Sequence, residues 1–284
     1  MSSRKLFLIF LSLFISNIFL SNPIRSSKIK TEDNNKIARV VALTSLSADL
    51  VNYISNESLL GIPGSSLLKN NNDFSNKTIV SSGRMPPDLE KILSLKPDLV
   101  IGAKGFHDRT LSKLNSLKIN TLSTSISSLD DLNILYKEIA SKLNTRTKSL
   151  EDILGNCYLK NKDKNKNVVV LVSSKPILSP NNDSWAGNLI SSFKLNNLAS
   201  EITNKTEFKG YVNLSPEWLI KSQPENILVI KTPGSDLSQY SSMSIWNKLE
   251  AVKNNKIYTF DYYGLINAGG INAINKACQK LSSI

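Results

Sequence analysis

Two glutamates stand at matching places in the two halves of the chain. Glu90 follows Pro87-Asp88-Leu89 and lies seven residues before Pro97; Glu217 follows Leu214-Ser215-Pro216 and lies seven residues before Pro224. A carboxylate in the first turn of a helix complements the helix dipole by about 0.3–1 kcal/mol. Two carboxylates displayed on separate rigid bodies can also orient a docking partner and speed its encounter. Arg84, in Ser81-Ser82-Gly83-Arg84, offers several donors in one plane, which suits an array of ligand oxygens. A solvated loop arginine is the plainer alternative. Phe106, Trp185, Tyr211 and Tyr263 supply flat rings that, gathered at a cleft, suit a planar ligand. Taken singly, each is better explained by packing; only as a set facing a cleft does the ligand reading draw level.

Other chemistry is poorly served. His107 is the only histidine, so a site for bare zinc or manganese lacks its usual ligands. Histidine can be an axial ligand to a tetrapyrrole, but an exposed loop residue is the expectation here. No G-x-S-x-G is present, and one histidine leaves little choice for a triad, which weakens an exported α/β hydrolase as the rival reading. Neither G-x-G-x-x-G nor a Walker A sequence appears, so no nucleotide cofactor is expected. A net charge of +12 comes mostly from lysines scattered among Asn and Asp, without the clustered basic and aromatic residues that nucleic-acid binding wants. The charge is consistent with an anionic ligand or a membrane surface.

The elements that must position these residues follow from periodicity. The chain has 284 residues, 40% hydrophobic and 20% charged, enough for two lobes of about 100–130 residues each. Arg4 and Lys5 precede the apolar run Leu6–Leu20, which reads as an export signal within residues 1–27. No A-x-A-like cleavage site stands out, so an uncleaved tether, as in a membrane-held sensor or chaperone, stays open. The absence of a nearby cysteine disfavours a lipid anchor. Residues 28–127 alternate short β-branched runs with amphipathic segments, the pattern of an α/β lobe with a mainly parallel sheet. From Ser128 to Lys160, apolar residues recur at steps of three and four, predicting a connecting helix of roughly 45 Å. Two shorter helices broken near Asn144 are the alternative. Alternation restarts over residues 161–284. Cys157 and Cys278 are the only cysteines, and their spacing leaves a disulfide and two buried thiols equally open.

The helix–Pro–strand pattern around Glu90 and Glu217 occurs twice, which indicates two related lobes with a ligand cleft between them. The segment Asp88 to Val100 (DLEKILSLKPDLV), together with Leu214 to Pro224 and Trp246 to Tyr258, resembles the periplasmic binding proteins of helical-backbone type, from about Arg39 to the C-terminus. That family carries ferric siderophores, haem or cobalamin to ABC importers. The resemblance implies a class III arrangement of two α/β lobes joined by one long helix, and a monomer delivering a ferric chelate or corrinoid from the periplasm to a permease dimer. It implies permease docking by Glu90 and Glu217 and a hydroxamate-type ligand contact at Arg84. It also implies cleft-facing rings at Phe106 and Tyr211, with Trp185 and Tyr263 as further ligand-binding candidates. The sequence has no arginine after Arg146, so a multi-arginine clamp for a catecholate would have to be replaced by lysines.

Overall fold

The computed structural model describes residues 37–82, 85–158, 165–202, 209–232 and 237–284. The apolar run Leu6–Leu20, the polar leader, Arg84 and most of the charged stretch Lys160–Lys166 lie outside the described residues.

The first half runs β1 (Val40–Ala42), α1 (Ser45–Ser55), β2 (Leu59–Gly64), α2 (Ser66–Lys69), β3 (Thr78–Ser82) and α3 (Leu89–Ser94). It continues through β4 (Leu99–Ala103), α4 (Asp108–Ser116), β5 (Asn120–Thr124), α5 (Leu129–Lys142) and α6 (Leu150–Ile153). The second half has β6 (Asn167–Leu171), β7 (Ser173–Ser174), β8 (Ile177–Pro180), α7 (Trp185–Ser192), β9 (Asn196–Asn197) and β10 (Tyr211–Leu214). Then come α8 (Pro216–Ser222), β11 (Asn226–Lys231), α9 (Leu237–Ser241) and α10 (Glu250–Lys253). The chain ends with β12 (Ile257–Asp261), α11 (Tyr262–Leu265) and α12 (Ile271–Ser282). Among the described residues, β3-β2-β1-β4-β5 form one parallel sheet and β12-β11-β6-β9 another. An antiparallel ribbon, β10-β8-β7, was not legible from the alternation of strand and helix.

Strand side chains alternate between faces, and each parallel sheet is buried on both. In the first lobe Val41, Leu43 and Val100 face a local core with Ile92 and Leu114, while Val40, Ala42, Leu99 and Ile101 face the other way. In the second lobe Val169, Leu171, Ile227 and Val229 face a local core with Trp246 and Leu249, while Val168, Val170, Leu228 and Ile230 face the other way. Both outward sets meet in one continuous apolar layer built by α1, α5, α7 and α12.

The repeated pattern has a structural basis. Asp88 caps α3 by accepting from the Lys91 N–H, and Ser215 caps α8 by accepting from the Trp218 N–H. Glu90 and Glu217 are thus each the second helical residue. Both helices run out into a left-handed residue, Lys96 (φ 46°) and Gln223 (φ 39°), just before the proline. The acid after each proline then pins the start of the neighbouring strand. Asp98 accepts from the N–H groups of Ala38 and Arg39 beside β1, and Glu225 accepts from the N–H of Asn167 in β6.

A single connecting helix over 128–160 does not form. α5 stops at Lys142, which makes it about 21 Å long. Asn144 takes a left-handed conformation (φ 50°), its N–H donates to Ser141 O, and the Thr145 N–H donates to Ala140 O. That is a Schellman stop, in which asparagine tolerates the conformation glycine usually supplies. Tyr136 holds the turned chain through its hydroxyl, bonded to Thr147 Oγ1 and Lys148 O. Ser149 and Asp152 then form a capping box that starts α6.

Cys157 and Cys278 form a disulfide with Cα atoms 4.9 Å apart, tying the end of the connector to α12. His107 is a buried side chain and not an exposed loop residue. Its Nδ1 accepts the Ala103 N–H at 3.0 Å, so the proton of the neutral ring sits on Nε2. Burial lowers its pKa, partly opposed by Asp108.

Two outcomes are expected. The disulfide closes a stretch of 121 residues. Cys157→Ser with Cys278→Ser should lower the unfolding free energy by about 2–5 kcal/mol in denaturant titrations; an unchanged midpoint would contradict the tie. Because the folded chain disfavours charged His107, its contribution is fully present above the unfolded pKa near 6.5 and is lost as pH falls below that value. Unfolding midpoints from pH 7.5 to 5 should therefore fall more steeply for the wild type than for His107→Asn, and parallel curves would refute the assignment.

Candidate functional site

A cavity of about 630 Å³ lies between the lobes. One wall is Leu67, Leu68, Asn70, Asn71 and Phe74, which follow β2. The facing wall is made by Lys231 and Asp261, the last residues of β11 and β12, and by Tyr263 and α12. Ligands of open α/β sheets bind at the carboxyl ends of strands, and this cavity is so placed. Its size falls in the usual range for small-molecule sites, about 300–1,000 Å³.

The floor is partly structural. Asp49, a lone carboxylate between Ala48 and Leu50 on α1, accepts the Ile271 N–H at 2.6 Å and so caps α12 across the lobe boundary. Burial raises the Asp49 pKa, the Ile271 N–H partly offsets this, and the charge of Asp73 adds to the rise. A Cβ at Gly270 would meet Asp49 Oδ2 at 2.8 Å, so a side chain there would push that carboxylate off its place. Lys280 donates to Thr259 O and lies 5.1 Å from the centre of the Phe260 ring.

The candidate ring residues separate into groups. Tyr263 lines the cavity and is 38% exposed, with the Tyr262 ring edge-on to it at 5.4 Å. The turn that presents them needs glycine: Gly264 has φ 98°, and a Cβ there would meet Ala273 O at 2.1 Å. Tyr211 begins β10, is half-buried, and lies near Tyr262; burial, with Tyr262 adding, drives its hydroxyl pKa well above the ordinary range.

Trp185 belongs to the core instead. It is 5% exposed, and its Nε1 donates to Gly264 O at 2.9 Å. Ser184 caps α7 and sets Trp185 as its first residue, which turns the indole into the shared apolar layer. Trp185 therefore does not line the cavity as the sequence suggests, but holds the 262–264 turn from behind. Phe106 is 67% exposed after the left-handed Gly105, in contact with the buried His107 ring at 4.8 Å. It is outside the cavity lining. Arg84 lies outside the described residues.

Glu90 and Glu217 are exposed, and neither forms an ion pair with another described residue. Of the residues that line the cavity, sequence reasoning found only Tyr263; the charged ones it missed include Asp49, Lys231 and Lys276. The position of Lys231 at the end of a buried strand was the available signal. Among the described residues, no group of three or more His, Cys, Asp or Glu could hold a metal ion, and no helix is long and apolar enough to cross a membrane.

Comparisons place this architecture. A family model described as periplasmic binding protein matches residues 40–263. The chain is 25% identical over 200 residues to the uncharacterized ABC transporter substrate-binding lipoprotein YvrC of Bacillus subtilis, covering 65% of this chain and 61% of the relative. It is 25% identical over 188 residues to the Fe(3+)-citrate-binding protein YfmC of the same organism, covering 63% and 58%. The chain thus spans about three fifths of the length of these curated relatives. A crystal structure of a possible iron-binding (periplasmic solute-binding) protein from Staphylococcus epidermidis superposes with a TM-score of 0.68 at 18% identity, over 87% of this chain and 98% of that one. At that identity the likeness is one of fold. With both parallel sheets inside the matched span, the chain belongs to the periplasmic binding protein family.

Proposed function

We propose that this protein is an extracytoplasmic solute-binding protein that captures a metal chelate and delivers it to an ABC importer. The observation that carries the reading is the cavity between two parallel-sheet lobes, at the carboxyl ends of β11 and β12 and edged by Tyr263. The curated relatives support it, being named as an ABC transporter substrate-binding lipoprotein and an Fe(3+)-citrate-binding protein. The apolar run Leu6–Leu20 supports export, with the body working in the periplasm. The partner is the permease dimer, met by a monomeric carrier; nucleic acid is not a partner. A hydrolase reading loses its sole histidine, because His107 is buried with Nδ1 accepting a backbone N–H.

Glu90 and Glu217 serve docking in this reading. Each is exposed at the second position of a short capped helix in its own lobe. Two such carboxylates, on lobes joined through one core, present a fixed pair of charges to permease arginines. Tyr211, Tyr263, Phe106 and Arg84 are assigned to the ligand side. No cofactor is required, since capture and release need no bond chemistry.

Two measurements test this. Tryptophan-quenching titrations with ferric citrate, a ferric hydroxamate, cobalamin and haem should find at least one ligand with a micromolar or tighter Kd, about 8 kcal/mol or more; binding of none would overturn the reading. Glu90→Arg with Glu217→Arg should abolish uptake in cells while leaving that Kd within twofold, and a lost Kd would remove the docking role.

A further inference from the structure

The charges in the cavity are unevenly engaged. Asp49 accepts the Ile271 N–H, and Lys280 is bound to Thr259 O against the Phe260 ring. Lys231 and Lys276 also line the cavity and are exposed, yet neither ammonium has an ion pair or hydrogen bond with a described residue. The two come from different elements, the end of β11 and the middle of α12. Against them stands the carboxylate of Asp261, which makes no capping bond to α11. The free charge of the cavity is therefore positive, in a hollow whose lining includes the apolar Leu68, Phe74 and Ala277. An ammonium beside apolar walls attracts an anion more strongly than one in open solvent, because the effective dielectric is lower. The net charge of +12 over the whole chain draws the same kind of ligand from a distance.

We infer that Lys231 and Lys276 form a two-point anion grip, and that the cargo of this cavity is an anionic, carboxylate-rich metal chelate. This rests on the carrier reading and narrows it: a neutral hydroxamate chelate or a neutral corrinoid gains nothing from two ammoniums. Asp49 is engaged by the Ile271 N–H at the start of α12, so its carboxylate is not free to neutralise either lysine. Lysine suits the task as a compact charge that accepts varied carboxylate geometries, where arginine would impose a planar fork.

The test uses the full chain with three probes: ferric citrate as the anionic chelate, ferrichrome as a neutral ferric hydroxamate, and cyanocobalamin. Ferric citrate should bind most tightly, and its Kd should rise at least tenfold between 20 and 300 mM KCl. Lys231→Gln with Lys276→Gln should weaken ferric citrate at least tenfold, with a melting temperature and far-UV circular dichroism like the wild type. The salt series on the unaltered chain stands by itself if that variant fails to fold. Preferred binding of ferrichrome or cyanocobalamin, indifferent to salt and to the lysines, would overturn the anion grip and leave the carrier reading intact. Unchanged ferric citrate affinity in the double variant would likewise overturn the grip. Failure of all three probes to bind would remove the grip, and failure of haem as well would remove the carrier reading with it.

Discussion

One apolar layer belongs to both lobes, and everything else in the molecule is arranged around it. Alternate residues of β1 and β4 enter it from one side, and alternate residues of β6 and β11 from the other. Helices α1, α5, α7 and α12 fill the space between, with Leu50, Leu132, Ile139, Leu189, Ile274 and Leu281 essentially inaccessible to solvent. Each such side chain contributes about 1.5–3 kcal/mol when fully buried. Separating the sheets would expose that layer on both sides. The lobes are therefore joined by a core, and a flexible linker is not what holds them together.

The covalent and polar ties reinforce the same junction. The disulfide fastens α12 to the segment that leaves the first lobe, and Asp49 caps α12 from α1. α12 is thus held at its start by a carboxylate and near its end by sulfur, with Ile274 and Ala277 packed between. A buried carboxylate is tolerable here because a helix N-terminus supplies both a hydrogen bond and partial positive charge. The cavity wall made by Asn272, Ala273 and Lys276 is consequently a rigid one.

How much of this could be read from the residues depends on how local the deciding interaction is. The paired helix–Pro–strand units were legible because their caps, stops and strands lie within about a dozen neighbouring residues. The acids after Pro97 and Pro224 were visible as letters, but their task was not, since Asp98 and Glu225 act on strands some 58–60 residues earlier in the chain. The connector divides near Asn144, the alternative that its spacing left open against one long helix, for the opposite reason. Its apolar spacing continues past Lys142, while one asparagine in a left-handed turn ends the helix. Trp185 carried the signal of a ring after a loop, and only the turn at Gly264, 79 residues on, draws it inward. His107 looked solvated among Phe106 and Asp108, yet its ring turns back onto Ala103. The disulfide joins positions 121 apart and could not be chosen over free thiols by spacing.

The same distinction bears on where function resides. Short-range pattern specifies two similar lobes and leaves their difference unstated. That difference lies in the loops at strand ends: Leu67–Phe74 on one side, Lys231, Asp261 and Tyr263 on the other. None of these side chains is needed for the shared layer, apart from Leu68 and Phe74, which belong to it. A rigid frame leaves such residues free to vary in charge and shape without loss of fold. In a carrier built this way, ligand choice should therefore follow the loops and the exposed face of α12, while the geometry shown to a partner stays fixed by the core.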